Sequence, residues 1–152
     1  MYFPGHMALG YYSGKITGRI TKKNPNIILI WIISNLPDID IFIPGLIHRG
    51  PTHSVITATI ISIPILLWYR NGLPLYASLM SHSLIGDYFT SYGCQLFWPV
   101  QSTWYRYGSA LQYGPDTRAY SISIELALFA IMVGLMIYEK YKPRNSIIES
   151  GQ

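Results

Sequence analysis

Apolar residues are grouped along this chain into runs that are separated by short polar turns. Five runs have helical character: residues 5–20, 26–36, 54–69, 73–89 and 121–138. A helix needs about 20 residues to cross a bilayer, so 26–36 is too short to cross alone. We expect it to continue, bent, through 39–47, because Pro37 and Pro44 break helical regularity, and we expect Pro64 to kink the run at 54–69.

The remaining segments complete the predicted architecture. Residues 5–20 contain Lys15 and Arg19, which fits either a short membrane-embedded helix or an interfacial one. Residues 95–119 predict a long aromatic and polar loop, whose Trp and Tyr side chains suit a membrane interface. The pattern predicts an all-α membrane protein, a bundle of four to five helices of which some are short or kinked. We expect one multi-span domain with a metal site over 1–139 and a polar tail over 140–152.

Composition supports a membrane protein. Only 12% of the 152 residues are charged, against about 25% in typical soluble domains. The mean hydropathy of +0.25 is modest, so polar groups must be concentrated in a few places.

The net charge is +4, but the basic residues flank apolar runs and form no continuous stripe, so we expect no nucleic-acid partner. A single cysteine excludes an intrachain disulfide, and no signal-peptide pattern opens the chain.

The distribution of positive charge predicts an orientation. If four spans follow the first helix, three basic residues lie on one side, namely Arg49, Arg106 and Arg118. Eight lie on the other, which is then cytoplasmic by the positive-inside rule: Lys15, Arg19, Lys22, Lys23, Arg70, Lys140, Lys142 and Arg144. This topology places the polar segments described below toward the outer leaflet. His6 joins them only if the first helix is embedded and runs back to the cytoplasm.

All four histidines and three of the seven acidic residues fall in four short blocks. Ionisable groups in membrane segments are costly and tend to be paired and functional. Imidazole and carboxylate together suit zinc, iron or manganese. Two ions about 3.5–4 Å apart would use six such groups better than one tetrahedral ion. The blocks are Gly5-His6, Leu36-Pro37-Asp38-Ile39-Asp40, His48-Arg49-Gly50-Pro51-Thr52-His53-Ser54, and Ser81-His82 through Asp87.

Each block also has a purely structural interpretation. His6 can be a surface residue near the N-terminus, and the aspartates after Pro37 can cap a helix. Arg49 can anchor the chain at a lipid headgroup, and His82 can be a hydrogen-bonded core histidine. Glu125, near the start of the last run, is more typical of an interfacial residue than of a ligand. The joint occurrence of the blocks favours a metal site over these separate explanations.

Together the blocks resemble a known family. LPDID, HRGxTHS, Ser81-His82 and the segment DxxTSYGxQLFWP that begins at Asp87 are similar to the membrane-bound metal-dependent hydrolases of the YdjM type, which are LexA-regulated inner-membrane proteins. The resemblance covers residues 5–99, and LPDID followed by HRGxTHS is its most specific part. It implies a multi-pass helical protein of the inner (cytoplasmic) membrane with a metal centre, and it implies no particular substrate.

The sequence departs from this family at two places. Ile41 follows Asp40 where some relatives have a further histidine. In the family the counterparts of His82 and Asp87 are commonly four positions apart, whereas here they are five positions apart. Five steps of 100° turn the second group about 140° away from the first on a regular α-helix. Either Gly86 permits a local π-bulge, which often marks a functional site, or Asp87 contacts a metal ligand and not the metal itself.

The leading hypothesis is metal-assisted hydrolysis of a phosphoester, such as a phospholipid or lipid-linked phosphate, at the membrane surface. We expect one or two divalent ions, with zinc as the first choice and manganese, iron or magnesium as alternatives. The lipid bilayer and a small-molecule or lipid phosphoester are the expected partners. The expected ligands are His6, Asp38, Asp40, His53, His82 and Asp87. The expected catalytic residues are His48, Arg49 and Asp87. Either His48 or an aspartate that does not bind metal is the general base, Arg49 clamps a phosphate by two hydrogen bonds, and His48 is the alternative to Asp87 as the last ligand.

Three other functions use the same residues. A metal or proton transporter could relay ions through intramembrane His and Asp, although such proteins often contain internal repeats, and this sequence has none. Paired histidines could bind haem, which would leave the aspartates without a role. A structural protein could use the same residues as helix caps.

Overall fold

The computed structural model describes residues 1–107 and 111–142, and within them the chain is all-α apart from two isolated β-bridges. The predicted bundle of four to five helices is confirmed. The α-helices are α1 (Phe3–Ile20), α2 (Ile27–Ser34), α3 (Val55–Trp68), α4 (Gly72–Ser81) and α5 (Arg118–Tyr141). Shorter elements are the 3-10 helices Leu36–Phe42 and Pro51–His53 and the π-helix His82–Asp87. Most of the predicted tail, from residue 143 on, lies outside the described residues.

Helix α1 lies inside the bundle, against α2, α4 and α5. Glycines four residues apart face its neighbours: a Cβ at Gly10 would lie 2.3 Å from Cβ of Ser34 on α2, and one at Gly14 would lie 2.5 Å from Oγ of Ser78 on α4. Small residues at this spacing allow helix backbones to approach closely. This packing favours the embedded alternative for the first helix, whose position in the membrane stays a prediction.

Two side-chain caps fix where the second and third helices begin. Asn26 Oδ1 accepts the backbone N–H of Ile28 at 2.8 Å, and Ser54 Oγ accepts that of Ile56 at 3.1 Å. Each cap satisfies an N–H group that has no partner within its helix. Helix α2 ends at Ser34, and the expected bent continuation is instead a 3-10 helix with Pro37 in its first turn.

The helices alternate in direction. Helices α1 and α5 run parallel, because Tyr2 N donates to Glu125 at their start (2.9 Å) and Lys15 Nζ contacts Glu139 at their end (2.7 Å). Helices α2 and α4 run the other way and begin beside that end, where Asn71 Nδ2, just before α4, donates to the carbonyl of Asn24 at 3.1 Å. We call this the basic end, because it contains the basic residues that the positive-inside rule assigned to the cytoplasmic side, as far as the structure describes them.

Among the described residues, α5 is the one helix long and apolar enough to cross a bilayer, with a mean hydropathy of 2.1 over an 18-residue window. Helix α3 has 14 residues. At 1.5 Å per residue it is about 21 Å long, shorter than a hydrocarbon core of about 30 Å. The multi-pass arrangement therefore stays a prediction.

The long loop after the π-helix is attached to the bundle by its backbone. Val55 N donates to the carbonyl of Leu96 and Gln95 N to that of Arg49, each at 2.9 Å. Ser54 Oγ donates to the carbonyl of Trp98 at 2.6 Å. These bonds hold the loop against residues 49–55, at the end of the bundle opposite the basic end.

Candidate metal centre

The polar blocks meet at the end of the bundle opposite the basic end, which we call the site end. His6 comes from the second turn of α1, Asp38 from the first 3-10 helix, His53 from the second, and His82 and Asp87 from the π-helix. Asp38 is partly exposed and the other four are buried. Each lies near a helix end, so backbone groups left free by the helices lie beside the cluster.

His82 and Asp87 lie on one face because the segment between them is a π-helix. The N–H of Tyr88 donates to the carbonyl of Ser83, five residues earlier, at 3.0 Å. His82 Nε2 consequently lies 3.6 Å from Oδ2 of Asp87. The wider winding compensates for the five-residue spacing, which would separate the two groups on a regular α-helix. Of the two alternatives left open for this segment, the structure therefore has the π-helical one.

A backbone carbonyl orients His82. Its Nδ1 lies 2.6 Å from the carbonyl oxygen of Ser34, the last residue of α2. Because a carbonyl only accepts, Nδ1 carries the hydrogen and Nε2 keeps a lone pair directed into the cluster, 3.0 Å from Nε2 of His53. Histidines that bind metals commonly donate their other ring nitrogen to a carbonyl in this way.

His6 is fully buried beside His82, so its interpretation as a surface residue is wrong. The two rings stack with centroids 3.6 Å apart and an angle of 12° between planes. His6 Nε2 lies 3.7 Å from Asp87 and 4.0 Å from Asp38. Neither ring nitrogen has a hydrogen-bond partner, which is unusual for a buried polar group. The ring fits because residue 86 is glycine, where a Cβ would lie 2.6 Å from Cε1 of His6.

Asp38 faces His53 and His82 across the cluster. Its Oδ1 lies 3.3 Å from Nε2 of His53 and 3.4 Å from Nε2 of His82. Burial acts to raise the pKa of Asp38, but the contacts with the two histidines outweigh it and hold that pKa well below its usual range. Asp38 is therefore a carboxylate at neutral pH.

Asp40 behaves differently, because protein groups already occupy both of its oxygens. Oδ1 lies 2.8 Å from Nδ1 of His48. Oδ2 accepts the backbone N–H of Arg49 at 3.1 Å and the hydroxyl of Thr52 at 2.6 Å, and it lies 3.3 Å from Nδ1 of His53. Asp40 thus fixes the orientation of two histidines. Its assignment as a direct metal ligand stays a prediction.

Three carboxylates determine the charge of His53. Burial alone would lower the pKa of His53, but its contacts with Asp38, Asp40 and Asp87 raise that pKa to about 10. Its Nε2 lies 3.1 Å from Oδ2 of Asp87. In the metal-free protein this imidazole is therefore positively charged at neutral pH and balances part of the negative charge around it.

Arg49 lies inside the site, so its interpretation as a headgroup anchor is wrong. The residue is 8% exposed and adopts a left-handed backbone conformation with φ of 65°. Its guanidinium contacts Asp87 at 3.3 Å, donates to Thr90 Oγ1 at 3.0 Å and lies 5.0 Å from the ring centre of Tyr92. His48, in contrast, has an exposed ring at the edge of the cluster.

The donor set suits divalent metal ions. Ligand atoms of one group lie within 4.8 Å of one another, and so do those of a second group that shares Asp38. Both ring nitrogens of His6 are buried without a hydrogen-bond partner, so two polar atoms of the cluster have unused bonding capacity. The groups are His6, Asp38, His82 and Asp87, and Asp38, His48 and His53.

Glu125 is buried, with 2% exposure, and its assignment to the membrane interface stays a prediction. It accepts hydrogen bonds from the hydroxyl of Tyr113 and from the backbone N–H of Tyr2. These bonds attach the start of α1 to α5 and thereby position His6. An acidic residue within an otherwise apolar run is costly without partners, so the sequence already indicated that Glu125 has hydrogen-bond partners.

Comparison with known proteins identifies one family. The family model described as YdjM inner membrane protein matches residues 1–143. No curated protein matches the chain, and no solved structure does.

Proposed function

Because the chain belongs to the YdjM inner membrane protein family, we propose that it is a multi-pass membrane hydrolase that uses divalent metal ions to cleave a phosphoester. The single observation that carries the proposal is the convergence of three imidazoles and two carboxylates at the site end, with both ring nitrogens of His6 left without partners. Buried polar groups without partners are costly, and a bound cation would satisfy them.

The proposed ligands are His6, Asp38, His53, His82 and Asp87. Asp38 belongs to both candidate groups, so it could be a ligand of an ion held by either group; the second group also contains His48, which is proposed below as the general base instead. Asp40 is proposed to orient a ligand: its contact with Nδ1 of His53 leaves Nε2 of that ring available to the metal. A bound divalent ion lowers the pKa of a coordinated water toward about 7 and polarises a phosphoryl oxygen.

His48 is the proposed general base. Its Nδ1 pairs with Asp40 at 2.8 Å, which leaves Nε2 as the proton acceptor, and its ring is exposed at the edge of the cluster. Nε2 meets Nε of Arg49 at 3.4 Å, a weak contact that a substrate can replace. In the proposed reaction His48 accepts a proton from water as the water oxygen bonds to phosphorus, an ester P–O bond breaks, and the proton then passes from His48 to the leaving oxygen.

Arg49 is proposed to bind the phosphoryl group. Contacts with Asp87, Thr90 and Tyr92 hold its guanidinium in place, so little side-chain freedom is lost when it binds an anion. The planar guanidinium can donate two parallel hydrogen bonds to phosphate oxygens. The Asp87 carboxylate thus has two proposed roles, since it would bind metal and position Arg49.

A hydrolase assay in detergent tests the proposal. Purified protein supplemented with zinc or manganese should release the leaving group from a soluble phosphodiester and from phospholipids. A chelator should abolish release, and re-addition of metal should restore it. Metal flux into proteoliposomes without hydrolysis would instead establish the transporter. That function is less favoured because the cluster lies at one end of the bundle, whereas transporter sites usually lie near the bilayer midplane.

A further inference from the structure

Two cavities of opposite character share Met1, Tyr2 and Arg49 in their walls. The larger, which we call the apolar cleft, has a volume of about 560 Å³ and reaches the metal centre at Asp38 and His48. The smaller, the arginine pocket, has a volume of about 120 Å³. A molecule bound across Arg49 would therefore place one part in an apolar environment and another in a polar, positively charged one.

Large hydrophobic side chains form the walls of the apolar cleft. Phe3, Ile32, Ile39 and Phe42 belong to it and are 59%, 58%, 48% and 82% exposed. They come from α1, α2 and the first 3-10 helix, so the cleft is open along the side of the bundle. Apolar walls that open sideways suit the hydrocarbon chain of a lipid, because the chain can enter the cleft from the surrounding bilayer without passing through water.

Two guanidinium groups lie in the wall of the arginine pocket. Arg49 contributes a buried one and Arg118, at the start of α5, an exposed one, beside Tyr92 and Tyr113. Tyr113 is occupied with Glu125. The charge of the pocket therefore favours anionic or hydroxyl-bearing groups and repels a quaternary ammonium group.

We propose that the substrate is an amphiphilic phosphodiester without a cationic headgroup. Its hydrocarbon chain lies in the apolar cleft, its phosphate lies at Arg49 beside the metal centre, and its polar group lies in the arginine pocket with Arg118 as a specificity-determining residue. This inference rests on the proposed function and extends it from phosphoesters in general to one class of lipid.

One pair of variants tests the cleft. Ile32→Trp fills it, whereas Ile28→Trp makes the same change one turn earlier on α2, at a position that is 63% exposed and outside the cleft. With phosphatidylglycerol in mixed micelles, Ile32→Trp should raise KM by about tenfold or more, a much larger increase than the one it causes in KM for soluble bis(p-nitrophenyl) phosphate. Ile28→Trp should change neither. An equal effect of Ile32→Trp on both substrates, or none, would overturn the placement of the chain.

A second pair tests the pocket. The wild type should prefer phosphatidylglycerol over phosphatidylcholine of the same acyl chains by about tenfold in kcat/KM. Arg118→Gln should reduce that preference several-fold. Arg106→Gln, which removes the same charge from an exposed loop arginine outside the pocket, should preserve it. Equal rates on the two lipids, or a preference that Arg118→Gln leaves intact, would overturn the headgroup assignment.

A binding experiment separates this inference from the hydrolase proposal. Phosphatidylglycerol with a diazirine on its acyl chain is crosslinked to the protein in nanodiscs, and the labelled peptides are mapped. Label should appear on residues of the apolar cleft, be displaced by unlabelled phosphatidylglycerol but not by phosphatidylcholine, and decrease in Ile32→Trp. Such labelling without hydrolysis would refute the hydrolase and retain the lipid site. Hydrolysis of the soluble phosphodiester without cleft labelling would refute the lipid site alone.

Discussion

His82 Nε2 lies 3.6 Å from the carboxylate of Asp87, although the two residues are five positions apart along one helical segment. The π-helix His82–Asp87 produces this approach, and Gly86 within it leaves space for the ring of His6. The same local change of winding therefore brings together a histidine and a carboxylate from one helix and admits a second histidine from another. π-Helical turns often occur at functional sites, and this one brings three candidate metal ligands together.

Substitution of Gly86 tests this role. In Gly86→Ala the new Cβ would lie 2.6 Å from Cε1 and 2.8 Å from Nδ1 of His6, so the ring must move. We expect zinc affinity, measured by competition with a chromophoric chelator, to fall by about tenfold or more. Gly134→Ala is the matched control, because nothing lies within 4 Å of its Cβ position on α5. Unchanged affinity in Gly86→Ala would show that His6 does not bind the metal.

Replacement of His48 separates catalysis from metal binding. The ring is exposed at the edge of the cluster and paired with Asp40. We expect His48→Ala to keep the wild-type metal content and to lower kcat by about 100-fold, as loss of a general base commonly does. Metal content and steady-state kinetics are measured on the same preparation. Loss of metal in step with activity would assign His48 to the ligands instead.

Zinc binding should release a proton from His53. Burial would lower its pKa, but Asp38, Asp40 and Asp87 raise it to about 10 in the metal-free protein. The ring is thus protonated near neutral pH, whereas metal binds the neutral imidazole. We expect zinc affinity to increase with pH up to about 10, and calorimetric heats to vary with the ionisation enthalpy of the buffer. Heats that are independent of the buffer would contradict a charged His53.

The topology can be measured with single cysteines in a Cys94→Ser background. Asn24→Cys lies at the basic end and Ser102→Cys in the loop at the site end, and both positions are exposed. The positive-inside rule predicts a cytoplasmic basic end. A membrane-impermeant maleimide should therefore label Ser102→Cys in intact spheroplasts and Asn24→Cys only after lysis. Labelling of both positions before lysis would refute the multi-pass orientation.

Much of the fold could be predicted because helix signals are local. Apolar runs located the starts of all five α-helices to within three residues, although the fourth run, 73–89, covers both α4 and the π-helix that follows it. The family spacing together with Gly86 indicated a π-bulge as one of two alternatives. The extent of α2 could not be predicted in this way. Its apolar pattern continues to Leu36, but Pro37 lies in the first turn of a 3-10 helix instead of a bent α-helix.

The sequence predicted which residues form the candidate site, but not which of them bind metal and which of them orient the ligands. Asp40 resembles Asp38 in sequence, yet its oxygens are occupied by Thr52, His48 and the backbone of Arg49. Those contacts depend on how two turns fold together. The carbonyl of Ser34 that orients His82 lies 48 residues away, and no residue type identifies a free carbonyl.

The metal content of the purified protein tests the central claim most directly. Wild-type protein purified from zinc-supplemented cells and analysed by inductively coupled plasma mass spectrometry should contain one or two zinc ions per chain. The His82→Ala variant should lose most of this metal, because its Nε2 faces His53, Asp38 and Asp87. Wild-type protein without metal, or a folded His82→Ala variant with full metal content, would contradict the account.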